Sequence, residues 1–365
     1  MRHYNEADRL LQSRLPHVEL APGLDMDKLI LSPDVEVHEI FHPVPGSEFL
    51  HETAIVEFNG VLFAAWYSCP ETELKGETPI VFSCSSDGGK TWSAPETVVT
   101  DPTGRILYCP PVFGIEDGKL YLFINEMVAP DHMHALDLYV FDEEARKFLP
   151  LWSRPIPFKL NTNIYTLPSG RLMLPGRVAD PDEFPNTPAL MTAGRINSDW
   201  KLEYMAPDGN LPDGSKYIHP EQSAVLDGGD IWMFCRDDQR QVPLVYRGRP
   251  GGIWQLYAHD IPFTNSKIYS GTLSDGRHYL IGNVYAEGRP RRSRLVLLFS
   301  ELGELRFTSG IALQDGYSAS LGYGGHQWSY PCAWESDGKL YVIYTGCVDD
   351  IGNRRAAILS VVPLK

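Results

Sequence analysis

Asp337-Gly338-Lys339-Leu340-Tyr341-Val342-Ile343-Tyr344 is a tight turn that runs straight into an apolar strand. The same pattern recurs as Asn59-Gly60 before VLFAAW, Asp117-Gly118 before KLYLF, Ser169-Gly170 before RLMLP, Gly228-Gly229 before DIWMF, and Asp275-Gly276 before RHYLIG. Most copies follow a second strand-like run, such as TAIVEF, IYTLP, SAVLD or IYSGTL. Asx-Gly and Gly-Gly turns match the twist of antiparallel neighbours, so each unit reads as a hairpin. The turn glycines are separated by 58, 52, 59, 47 and 62 residues. A two-strand hairpin takes about 16 residues, which leaves room in each period for two more strands. Four strands per period make a propeller blade, and six periods make six blades. The expectation is an all-β, six-bladed β-propeller with four antiparallel strands per blade over residues 34–365. Residues 1–33 form an N-terminal extension in which ADRLLQSRL predicts a short helix. A sandwich built from generic hairpins is the alternative. A helical fold is excluded, because no long apolar stripe of period 3.6 is visible.

Composition agrees with a globular chain. Hydrophobic residues make up 43% and charged residues 22%, enough apolar material for a large core. The formal net charge of −15 argues against nucleic acid, whose affinity rests on Lys and Arg contacts with phosphate. A local arginine cluster can still attract a small anion. The first twenty residues contain no apolar core of a signal peptide, and no run approaches a membrane span. The expectation is therefore a cytoplasmic protein without a membrane or nucleic-acid partner. Cys69, Cys84, Cys109, Cys235, Cys332 and Cys347 are dispersed with no CxxC pair, so they read as reduced, mostly buried thiols. No metal or other cofactor is expected.

Ser85-Ser86-Asp87-Gly88-Gly89-Lys90-Thr91-Trp92 fits S-x-D-x-G-x-T-W, the Asp box, and thereby resembles the sialidase superfamily and its BNR-repeat relatives. The Asp and Ser side chains bond the turn's own backbone, and the glycine tolerates a left-handed conformation. The box is a structural feature and argues for fold, not activity. Ser300 to Phe307, SELGELRF, resembles a decayed copy.

The resemblance extends to candidate site residues. Sialidases carry a Glu about 15 residues before an Arg, at the two ends of one hairpin; Glu221 and Arg236 bracket EQSAVLDGGDIWMFCR in that manner. Arg292, in RSRL, matches a later sialidase arginine, and Tyr330, in SYPCAWESDGK, stands near the place of the nucleophilic tyrosine. The first hairpin departs from the pattern, with His51 where sialidases place an arginine that helps clamp the substrate carboxylate. Histidine is shorter and only partly charged near neutral pH, so weak or absent activity on ordinary sialosides is expected. The loop SCPETELKGETP offers Glu73 where sialidases place an acidic aspartate.

By this resemblance Tyr330 is the nucleophile, Glu221 takes its proton and Glu73 protonates the leaving group. Arg236, Arg292 and His51 bind the substrate, and Tyr330 and Glu221 are expected to touch. A neutral phenol suits an anionic sugar, whose carboxylate would repel a carboxylate nucleophile. His326 in GYGGHQW, Asn265 and Lys267 in FTNSKIY, Asn163 in NTNIY, and His219 before Pro220 stand at hairpin starts or in loops that face the same funnel, as further candidate substrate-binding residues. The bland alternatives are surface pairing of Arg236 with Asp237 or Asp238, a solvated turn at Arg292, a strand aromatic at Tyr330 and a turn cap at Glu221. Three functions stay open: a hydrolase that removes a terminal sugar, acidic or neutral, from a glycan, a polysaccharide lyase acting on a uronate glycan, and a non-catalytic carbohydrate-binding propeller. The partner in each is a carbohydrate.

Overall fold

The computed structural model describes residues 4–179, 186–316, 328–347 and 354–364. Six antiparallel sheets form a six-bladed propeller, each built outward from an inner hairpin. Blade 1 comprises Phe49–Phe58, Val61–Cys69, Ile80–Ser85 and Glu96–Val99, and blade 2 Leu107–Glu116, Lys119–Ala129, His132–Asp142 and Lys147–Arg154. Blade 3 splits its innermost strand into Phe158–Leu160 and Tyr165–Thr166, both paired with Leu172–Val178, and continues through Thr187–Ala193 and Lys201–Tyr204. Blades 4, 5 and 6 begin with Gln222–Asp227, Tyr269–Thr272 and Trp328–Ser336.

The recurring turns join the first and second strands of every blade. At Asn59-Gly60, Asp117-Gly118, Gly228-Gly229 and Asp337-Gly338 both residues have positive φ, as a two-residue hairpin loop demands. The other two are three-residue loops. There Gly170 (φ 80°) and Gly276 (φ 93°) take the left-handed place, and Leu167 N–H and Leu273 N–H bond the carbonyls of Arg171 and Arg277 at 2.8 Å.

The N-terminal segment is strapped to the propeller rim. Asn5 caps a helix over Glu6–Arg14, whose Leu11 is fully buried with residues of blades 3 and 4. His17–Val18 adds a parallel strand to the outside of blade 4, and the Asp260 carboxylate accepts from Leu20 N–H at 2.6 Å. Glu36–Phe41 then becomes the outermost strand of blade 6, paired with Arg355–Pro363. The ring is thus closed by strands from opposite ends of the described chain.

Apolar side chains interlock between blades. Phe63 and Phe82 of blade 1 meet Phe141 and Phe148 of blade 2 edge-on, with centroids 5.0 to 6.3 Å apart. The Asp box joins the third and fourth strands of blade 1, at the end carrying the inner turns. Asp87 accepts from Lys90 N–H and Thr91 N–H at 3.0 Å and from Thr91 Oγ1 at 2.6 Å, and Trp92 Nε1 donates to Gly89 O. Ser300 to Phe307 occupies the corresponding junction of blade 5. All six cysteines are free thiols, five of them buried. No helix among the described residues is long and apolar enough to cross a membrane.

Candidate functional site

The inner strands start at the face opposite these turns, and there the backbone is irregular. The ladder of blade 1 shifts between His51 and Ala54, with Glu52 at φ 50°, and that of blade 6 between Ser329 and Cys332, with Tyr330 at φ 57°. His219, at φ 50°, precedes the inner strand of blade 4. Bulges re-aim side chains that regular pleating would send between blades. They turn these residues into a cavity of about 650 Å³.

Arg236 organises the floor. Its Nη1 donates to the Glu221 carboxylate and, at 2.9 Å, to Tyr330 Oη. Its Nη2 donates to Asp238 Oδ1 at 2.9 Å and its Nε to Asn265 O at 2.9 Å. Tyr330 and Glu221 are therefore joined through one guanidinium rather than touching each other. Three cations surround the Tyr330 ring: Lys267 Nζ and Arg292 Cζ at 5.2 Å from its centroid, and Arg236 Cζ at 5.9 Å.

Burial raises the Tyr330 phenol well above its ordinary value, with Arg236 and Arg292 opposing, so the hydroxyl is neutral. Burial would also raise the Glu221 carboxyl, but Arg236, Lys267 and Arg177 outweigh it and hold it low and ionised. The His51 ring packs on Tyr330 with centroids 3.9 Å apart, and its Nδ1 lies 2.8 Å from Thr345 Oγ1. Burial lowers its pKa, and Arg292, Arg355, Lys267 and Arg236 add to the effect, so His51 is neutral.

A second cluster adjoins the first in the same cavity. Asp131 Oδ1 accepts from Arg177 Nη2 at 2.7 Å and Lys159 Nζ at 3.0 Å, while Oδ2 lies 2.8 Å from His219 Nε2. Arg177 Nη1 stands 4.0 Å from Glu221 Oε1, linking the clusters. Lys267 Nζ bonds Glu52 Oε2 at 2.7 Å. Seven lysines and arginines line the cavity (Lys75, Lys159, Arg177, Arg236, Arg291, Arg292, Arg355) against five carboxylates (Glu52, Glu73, Asp131, Glu221, Asp238). An acidic protein thus carries a locally cationic cavity.

Tyr330, Glu221, Arg236, Arg292, His51 and Glu73 all line this cavity. Glu73 is exposed at the rim and accepts from Tyr67 Oη at 3.3 Å. Asn265 and Asn163 do not line it, which corrects their assignment as substrate-binding residues. The Asn265 carbonyl supports Arg236 from behind, and its amide donates to Asp238 O at 3.1 Å. Asn163 is turned onto Tyr269 Oη and Cys332 between inner strands. His326 lies outside the described residues. Arg177, Arg355, Asp131 and Lys159 were not singled out in the sequence. Arg355 begins the third strand of blade 6, with Cζ 5.7 Å from the Phe49 centroid, and no carboxylate lies within ion-pair distance of it among the described residues.

The BNR repeat-like domain family matches residues 60–342. The chain belongs to this family. No curated protein matches it significantly. Among solved structures, the BNR repeat-like propeller is similar to a protein of unknown function from Dyadobacter fermentans (TM-score 0.68, 17% identity, 92% of this chain and all of that one). It is similar as well to a Trypanosoma rangeli sialidase in complex with 2,3-difluorosialic acid (0.66, 14%, 91% of this chain and 59% of that one). A third similar structure is the NanB sialidase of Streptococcus pneumoniae (0.65, 11%, 90% of this chain and 70% of that one). The chain therefore spans about three fifths of the trypanosomal structure. These likenesses establish a sialidase-like propeller and leave the substrate open.

Proposed function

We propose that this propeller is a glycoside hydrolase that removes a terminal acidic sugar from a glycan, with Tyr330 as nucleophile and Glu221 as its base. The observation that carries this reading is that one guanidinium, Arg236, holds both Tyr330 Oη and the Glu221 carboxylate at the floor of a cationic cavity. A substrate carboxylate competes for Arg236, with Arg292 and Arg355 lining the same cavity. As Arg236 turns to it, Tyr330 and Glu221 are released to each other. The phenol oxygen bonds to the anomeric carbon, its proton passes to Glu221, and the bond to the leaving oxygen breaks as that oxygen is protonated. Water then displaces the tyrosine. With His51 neutral, a uronic acid fits the remaining arginines better than an ordinary sialoside does.

The test is a panel of aryl glycosides of sialic, glucuronic and galacturonic acids. Cleavage of one member, reduced about 10²- to 10⁴-fold by Tyr330→Phe or Glu221→Gln, is the expected result. A fluorinated sugar with a reactive leaving group should label Tyr330 in mass spectra. A new ultraviolet-absorbing double bond in the product of a uronate polymer would instead establish a lyase. Binding without turnover on every member would establish a lectin-like propeller.

A further inference from the structure

The hydrolase reading requires a group that protonates the departing oxygen, and the cavity itself narrows the choice. Glu52 is engaged by Lys267 at 2.7 Å, and Asp238 by Arg236 at 2.9 Å. Asp131 has two cationic neighbours, Arg177 and Lys159, and the His219 ring, all within 3.0 Å. Asp131 and Asp238, held in this way, stay ionised and have no proton to give, and the Glu52 carboxylate is committed to Lys267. Glu73 lines the same cavity but is exposed at its rim, and its carboxylate accepts from Tyr67 Oη.

His219 differs from all of these. Its side chain lines the cavity at 37% exposure, so a substrate oxygen can reach it. Its backbone is held at φ 50°, with Glu221 N–H bonded to the His219 carbonyl at 2.9 Å, so the base and the histidine share one tight turn. Nε2 is fixed on Asp131 Oδ2 at 2.8 Å, whereas Nδ1 is 3.6 Å from Asp238 Oδ2, beyond hydrogen-bond length. One nitrogen is anchored, which leaves the other as the one that can meet a substrate oxygen.

We propose that His219, oriented by Asp131, is the proton donor of this site; the assignment rests on the hydrolase reading. The Nδ1 proton passes to the glycosidic oxygen as its bond to the anomeric carbon breaks, and the imidazole becomes neutral. In the second half, water attacks the tyrosyl-bound sugar, Nδ1 takes the proton of that water, and Tyr330 recovers its own from Glu221. Atoms and charge balance over the cycle. The groups facing the ring are Asp131 and Asp238, which favour its protonated form, and Arg177, which opposes it.

Leaving-group dependence tests this directly. On the glycoside that the wild type cleaves, His219→Gln should lower kcat/KM, which reports the step that expels the leaving group, by about a hundredfold or more for a phenyl leaving group and by less than about tenfold for 2,4-dinitrophenyl, which departs without a proton. His219→Ala, checked for the wild-type melting midpoint, serves as the second variant should glutamine disturb folding. Asp131→Asn should shift the alkaline limb of the kcat/KM profile to lower pH, a change that a purely structural role would not produce. Equal losses on both leaving groups, or no loss on either, would overturn the His219 assignment and leave the hydrolase intact. A wild type that cleaves no aryl glycoside overturns both readings.

Discussion

The most consequential single residue is His51, because its neutrality follows from where it stands. Three arginines and a lysine face it, and a further cation among them would be repelled. The imidazole is instead a flat, neutral wall for the Tyr330 ring, bonded to Thr345. Its pKa is depressed on folding from the ordinary 6.5, so the folded state binds fewer protons than the unfolded one. The stability contribution is therefore full above pH 6.5 and is lost as pH falls below it, by at most about 1.4 kcal/mol per pH unit. His51→Gln, which keeps a neutral polar group, should flatten the decline of unfolding free energy between about pH 6.5 and 5 relative to the wild type. Parallel declines in the two proteins, measured by urea titration, would show that His51 is not the group responsible.

At the scale of strands, the sequence made the hairpins legible because their turns demand particular residues. Gly338 has φ 69° and open space around its missing Cβ, so it is required for its conformation alone. Gly338→Ala should cost about 1–2 kcal/mol and Gly338→Asn clearly less, read from denaturant midpoints. Equal costs would mean that something other than the left-handed backbone fixes glycine there. The same register held site information that a search of hairpin starts could not find. The seventh residue after each turn glycine is Tyr67, Asn125, Arg177, Arg236, Asn283 or Thr345, and all six are polar and buried. Arg177 and Arg236 are equivalent positions of successive blades, so Arg236 carried the pointer to Arg177. Arg355 and Asp131 had no such signal, since they belong to outer strands and their turns, whose reach into the cavity depends on blade packing. Nor could spacing reveal the bulges at Glu52 and Tyr330, where positive φ is imposed on residues that do not favour it. The expected contact of Tyr330 with Glu221 missed the intervening guanidinium for the same reason: strand order gives proximity, and side-chain packing decides the partner.

Across the whole molecule, the closing strand connects stability to the site. Glu36–Phe41 covers the outer edge of Arg355–Pro363, and that strand pairs with Lys339–Cys347, which carries Thr345 and packs Arg355 on Cys347. Thr345 in turn holds His51 against Tyr330. Opening the ring would leave a nine-residue apolar strand as a bare edge and loosen blade 6 against blade 1. The N-terminal helix has a different role, since it covers the rim near blades 3 and 4 and touches no cavity residue through Leu11. Two changes should therefore behave differently. Leu11→Ala empties a fully buried site and should cost about 2–5 kcal/mol, with a single unfolding transition and an unaltered cavity. Removal of residues 1–41 should abolish the single cooperative transition in calorimetry and shift the protein toward aggregates on size exclusion, because the closing strand has no substitute. A truncated protein that melts in one transition near the wild-type midpoint would show that blade 6 holds its place through inter-blade packing alone, and that the closing strand is dispensable for the geometry around Tyr330.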